Sequence, residues 1–254
     1  MDKVLLLLAV LLINLFGIVR LSFLYPVLLG ILLVAALVLK RRAVLPVLLL
    51  FFLVSLGSFT FPSVMRSLPS LQFLLPLVIS TLLVLPFMGG REVFSWARKG
   101  TLDRSSVFMT CLTGLLSTGG LLLWASWTDN LGIGVQITRG FSHIPSWLLF
   151  GAGVPLFALV NAFTEEAVFR GVLQEALGKA FRRDLSVLAL QSSAFAAVHY
   201  RVGFPNGVAG YLMVFVYGLV LGYLRMRTRG MLAPYAAHVI ADLAIGYFLC
   251  FSVR

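Results

Sequence analysis

Between Thr164 and Asp242 the chain sets five acid or imidazole side chains inside apolar runs: Glu165, Glu166, His199, His238 and Asp242. A glutamate and a histidine facing one watery pocket draw a proton from water and make it a nucleophile. A second histidine, its tautomer held by a carboxylate, donates to the oxyanion formed from a carbonyl. Glu165, His199 and His238 with a water are equally the ligand set of a catalytic zinc. In both cases the reaction class is hydrolysis of an amide or ester.

The spacing sorts these residues into roles. Two Glu and one Arg at the middle of a membrane helix would cost roughly 8–10 kcal/mol on insertion scales, so they need a partner or a task. Glu166 and Arg170 stand one helical turn apart with the acid first, the favourable order for an ion pair. They are expected to neutralise one another and to orient the site. Glu165 lies about 100° further round the helix, without a local partner, and is assigned the chemistry. Phe195 and His199 share one helix face beside the small Ala196 and Ala197, and His238 and Asp242 share another. Three such faces are explained most simply by one shared site, since ionisable groups in membranes turn toward the bundle interior.

The elements that must carry these residues follow from composition. Of the 254 residues 60% are hydrophobic and only 11% charged, with a mean hydropathy of +1.02. Soluble domains run near 45–50% apolar and about 25% charged. A soluble fold this apolar would expose large greasy patches, so the mass must face lipid. The net charge of +11 sits in short clusters between apolar runs, as loop charges do in membrane proteins, and no nucleic-acid partner is expected. Cys111 and Cys250 lie far apart, with neither a disulfide framework nor a zinc-binding spacing.

Runs long enough to span a bilayer fall at about 4–19, 21–39, 43–61, 69–88, 105–127, 147–173, 185–200, 208–224 and 231–252. The expected fold is therefore an all-α, polytopic transmembrane bundle of eight or nine helices in one domain, 1–254. Residues 1–146 form scaffold helices and 147–254 the core that carries the motifs. The first run resembles a signal peptide, but no small-x-small cleavage site follows, so it reads as a retained span. Gly218 and Gly222 mark a packing face. His143 reads as a loop histidine.

Following the runs alternately, one side collects Lys3, Lys40, Arg41, Arg42, Arg91, Arg98, Lys99, Arg104, Lys179, Arg182, Arg183, Arg225, Arg227 and Arg229. The other keeps Arg20, Arg66, Arg139, Arg201 and Arg254, with Arg170 left inside a helix. Such a bias places the richer side, and the N-terminus, in the cytosol. The expected location is the cell (inner) membrane.

Glu-Glu-x-x-x-Arg at Glu165–Arg170, Phe-x-x-x-His at Phe195–His199 and His-x-x-x-Asp at His238–Asp242, in that order, resemble the CAAX-protease and bacteriocin-processing (Abi) family of intramembrane endopeptidases. The resemblance covers roughly Trp147 to Gly246, including the basic turn at 225–230. It implies that Glu165 and His199 activate the water while His238 and Asp242 form the oxyanion hole. The family's commoner residue at the last position is Asn, so Asp242 must be protonated or act through His238. A glutamic mechanism without cofactor is the favoured expectation. A zinc ion on Glu165, His199 and His238 is its alternative.

The expected partners are membrane lipid and a membrane-associated peptide or protein substrate. One rival reading is a non-catalytic immunity or scaffold protein of the same fold. A transporter is the other, and it is disfavoured because transporters repeat their broken helices in two halves, whereas the polar residues here lie in the C-terminal half.

Overall fold

The computed structural model describes residues 1–19, 23–62, 69–128, 144–181 and 183–251, and every regular element among them is helical. Among the described residues nine helical rods follow one another. The scaffold rods are α1 (Asp2–Ile18), α2 (Leu24–Val38), α3 (Leu45–Thr60), α4 (Pro69–Met88) and α5 (Arg104–Trp127). The core rods are α6 (Ser146–Ala180), α7 (Asp184–Val202), α8 (Gly207–Thr228) and α9 (Leu232–Phe251). Among the described residues five helices are long and apolar enough to cross a membrane: 42–60, 70–88, α5, α6 and α8. The fold is an all-α polytopic bundle in an integral membrane protein. The loop histidine His143 lies outside the described residues.

Two helices run past their expected ends, for a physical reason. The α6 rod continues two turns beyond residue 173 because its polar residues there have partners. Gln174 Nε2 donates to Gly222 O at 3.0 Å, and Glu175 pairs with Arg225 at 3.0 Å. The α8 rod continues to Thr228, with Arg225 and Arg227 in its last turn, where cations meet the negative end of the helix dipole. It stops at Arg229 in the left-handed region (φ 55°). At the next residue a Cβ on Gly230 would collide with the backbone of Gly100.

The rods alternate in direction, and side-chain contacts tie their ends into two sets. At one end Arg41 meets Asp2 at 3.7 Å, and Arg227 meets Asp103 at 3.8 Å. Backbone bonds there join Thr101 N to Thr228 O (2.9 Å) and Met231 N to Arg98 O (2.7 Å). Asp103 caps α5 at this end, accepting from Ser106 N at 2.6 Å. Those hydrogen bonds, the Ser106 side chain first, hold its carboxyl below the ordinary value of 3.8. At the opposite end Phe204 packs edge-on to Trp124, with centroids 5.1 Å apart, and Tyr247 donates to Phe150 O at 3.1 Å.

The scaffold backs the core through aromatic contacts. Phe169 of α6 is fully buried and touches Phe51 of α3, Phe73 of α4 and Phe195 of α7, with centroids 6.1, 5.8 and 5.1 Å away. On α1, a Cβ at Gly17 would strike the backbone carbonyl of Ala197, so the two helices meet backbone to backbone two residues from His199. Gly218 and Gly222 of α8 serve the same end, lying against Ser192, Gln191 and Leu188 of α7.

Candidate active site

The α6 rod is not a uniform α-helix. After the α-helical stretch Val154–Glu165 comes a π-helical stretch, Glu166–Leu173, whose wide turns are often found at functional sites. The change of winding falls between the two adjacent glutamates. One imidazole, that of His238 on α9, meets both. Its Nδ1 lies 2.8 Å from Glu166 Oε1, and its Nε2 lies 3.5 Å from Glu165 Oε2.

Glu166 is a hub hidden from the cavity. Its side chain is 1% exposed and that of Arg170 is 0%, and Arg170 Nη1 donates to Glu166 Oε1 at 2.9 Å. The guanidinium also stands 4.1 Å from the centroid of the Phe195 ring, a cation–π contact that offsets part of its desolvation. Because Glu166 is ionised against Arg170 it only accepts, so the proton on His238 Nδ1 points to it. Phe195 in turn packs edge-on to both histidine rings, with centroids 4.7 Å from His199 and 6.0 Å from His238.

His199 is held in the same way from the other side. Its Nδ1 lies 2.9 Å from Phe195 O, a carbonyl that only accepts, so Nδ1 carries a proton. Its Nε2 is thereby turned toward Glu165 Oε2, 3.8 Å away. Glu165 Oε2 accepts no hydrogen bond from a described side chain and lies between two Nε2 atoms, both just beyond direct hydrogen-bond length. The side chains of Glu165 and His199 are 12% and 16% exposed, which separates the reachable glutamate from the buried Glu166.

Asp242 lies against this group without a direct bond to it. Its Oδ1 is 3.7 Å from His238 Nε2, and its Oδ2 accepts from Asn161 Nδ2 at 3.1 Å. Asn161, one turn before Glu165, also donates to Glu165 Oε1 at 3.3 Å. Its own Oδ1 accepts from Ser70 of α4 at 2.9 Å. One amide thus bridges the two carboxylates and is itself fixed by the scaffold. Sequence reasoning missed both residues. Asn161 had a readable signal, a lone amide in an apolar run at i−4 from Glu165. Ser70 had none, because the contact spans 91 positions.

These groups line one cavity of about 1870 Å³. That exceeds the roughly 300–1,000 Å³ of small-molecule sites, so it has room for a peptide segment with its side chains. Its wall is mainly apolar, with Leu116, Leu156 and Val216 among the lining residues. Tyr217 of α8 lines it too, its ring perpendicular to that of His238 at 5.6 Å.

Two ligands on one tetrahedral zinc stand about 3.3 Å apart, given bonds of about 2.0–2.1 Å. The separations of Glu165 Oε2 from the two Nε2 atoms are near that value. Among the described residues, however, no group of three or more His, Cys, Asp or Glu side chains is arranged to hold a metal ion.

Residues 141–244 match the family model described as Type II CAAX prenyl endopeptidase Rce1-like. The matched segment holds Glu165, Glu166, Arg170, Phe195, His199, His238 and Asp242, and excludes α1 to α5. No curated protein and no solved structure matches the chain. Over this segment the chain is similar to the CAAX-protease family. The match supports, in general terms, a membrane protease acting on a membrane-embedded peptide.

Proposed function

We propose that this chain is an intramembrane endopeptidase that uses a Glu/His-activated water and no metal. The observation that carries the proposal is the position of Glu165 Oε2 between the Nε2 atoms of His199 and His238, at 3.8 and 3.5 Å. Both separations suit a bridging water, which would make hydrogen bonds of ordinary length, about 2.8 Å, to the carboxylate and an imidazole.

The water oxygen attacks the scissile carbonyl carbon while one of its protons passes to Glu165 and His199 Nε2 orients it. The carbonyl π electrons move onto oxygen. His238, its Nδ1 proton already committed to Glu166, receives that oxyanion on a protonated Nε2. When the tetrahedral intermediate collapses, the C–N bond breaks and the amine leaves with the proton from Glu165. Asp242 and Asn161 touch neither the water nor the carbonyl in this scheme. They fix the carboxylate and the second imidazole.

The reading of His199 and Glu165 as water activators agrees with their exposure to the cavity, and the burial of Glu166 and Arg170 suits a brace. Zinc, if bound, would sit on Glu165, His199 and His238 and supply Lewis-acid polarisation of the carbonyl. Cleavage of membrane peptides by the purified chain, by Glu165→Gln and by His199→Ala, each with and without chelator, tests the proposal. A general base at Glu165 predicts a loss of about 10²–10⁴-fold in Glu165→Gln and no effect of chelator. Loss on chelation alone would move the mechanism to zinc. A chain that cleaves nothing under any condition would favour the scaffold reading.

A further inference from the structure

The bundle has two unlike ends, and the cavity belongs to one of them. The residues of its wall that lie in interhelical connections include Val19, Pro62, Ile144, Gly203, Phe204 and Pro205, with Arg201 in the last turn of α7 beside them. All come from the end at which α1, α3 and α7 finish and α6 and α8 begin. No described residue of the other connections, at 39–44, 89–103, 181–183 and 229–231, lines it.

That other end is closed by a strap. The segment after the short helix Gly90–Val93 crosses the turn between α8 and α9, held by Met231 N to Arg98 O (2.7 Å) and Leu232 N to Lys99 O (3.2 Å). Gly100 lies on Gly230 with no room for a Cβ on either residue, and Trp96 packs on Gly171 of α6. Beneath it, Glu175 joins Arg225 at 3.0 Å and Ser95 at 3.4 Å. A peptide could not reach Glu165 from this end without undoing these contacts.

The strapped end is also the basic one. Lys40, Arg41, Arg98, Lys99, Arg227 and Arg229 are all exposed there. Arg201 lies at the cavity end, and the alternation of the apolar runs assigns that side five cations in all, against fourteen on the strapped side. Positive loop charge marks the cytosolic face of a membrane protein.

We infer that the cavity opens away from the cytosol, so that the substrate is a peptide segment presented at the extracytosolic face of the membrane. The inference rests on the protease reading for the word substrate, but the sidedness stands on geometry and charge alone. It restricts the substrates to chains that are exported or that expose an extracytosolic segment. Prenylated tails of cytosolic proteins are excluded.

The test separates the two. In full-length chain carrying Cys111→Ser and Cys250→Ser, single Arg201→Cys, Phe204→Cys and Lys99→Cys variants are treated in intact bacterial cells with a membrane-impermeant maleimide. Labelling at positions 201 and 204 in intact cells, with position 99 labelled only after lysis, is the expected result. Labelling at 99 in intact cells, or at 201 and 204 only after lysis, overturns the inference. In the same cells one peptide is displayed on a single-span anchor on either face. Cleavage of the exported form alone, lost in Glu165→Gln, supports the substrate class, and cleavage of the cytosolic form overturns it. Labelling as expected without cleavage of either form counts against the protease reading and leaves the sidedness standing.

Discussion

Glu166 Oε1 stands 2.8 Å from His238 Nδ1, and the same oxygen accepts from Arg170 Nη1 at 2.9 Å. A carboxylate that never meets the cavity therefore fixes which edge of the imidazole does. The pair Glu166–Arg170 is more than a neutralised charge, because it reaches across from α6 to α9 and sets the second histidine.

Glu166→Gln leaves a fully buried guanidinium with no counter-charge. Removing one partner of a buried pair typically costs about 3–5 kcal/mol. We expect a loss of that order in unfolding free energy, read as a lower midpoint for the detergent-solubilised protein, together with lost cleavage. A wild-type midpoint would show that the buried charge is compensated elsewhere.

Asn161→Ala removes the amide that bridges Glu165 and Asp242. Hydrogen bonds to charged groups contribute about 1.5–3 kcal/mol, so activity should fall by roughly 10- to 100-fold. Ser70→Ala acts only through Asn161 and removes a neutral bond worth about 0.5–1.5 kcal/mol, hence about 2- to 10-fold. In both variants the fall should lie in kcat and shift the pH profile of cleavage, which a purely structural loss would not do. Unchanged activity in Ser70→Ala would separate the scaffold from the site.

How much of this could be read in the chain depends on range. The pairs within one helix turn, Glu166 with Arg170 and Phe195 with His199, were legible because helical geometry fixes them. Helical class and membrane residence followed from composition. The meeting of both glutamates on one imidazole was not legible. It depends on the π-helical winding from Glu166 to Leu173, for which the residues carry no local signal. The contribution of α4 through Ser70 was hidden for the same reason, since tertiary packing alone brings those positions together.

Gly17→Val tests the contact between α1 and α7. Its Cβ would strike the backbone of Ala197, which cannot rotate away as a side chain can. Overpacking of this kind costs about 1–3 kcal/mol. Lowered thermal stability is expected, with weaker cleavage because His199 is displaced. A Val tolerated without loss would mean that the two helices can separate freely.

Asp103 gives a pH-dependent prediction away from the site. Its folded-state pKa lies below the ordinary 3.8 because Ser106 hydrogen-bonds the ionised form. Its contribution to stability is thus present above the ordinary value and is lost as pH falls through the folded-state value. The stability gap between wild type and Asp103→Ala should be open at neutral pH and close in acid. A gap that stays constant with pH would show that the cap does not depend on the charge.

Glu165 is the centre of the account, and its most direct test is the rate of cleavage of one membrane peptide by wild type and Glu165→Gln, with and without chelator. The account predicts that the substitution abolishes cleavage in a folded protein while the chelator changes nothing. Cleavage that survives Glu165→Gln would contradict it.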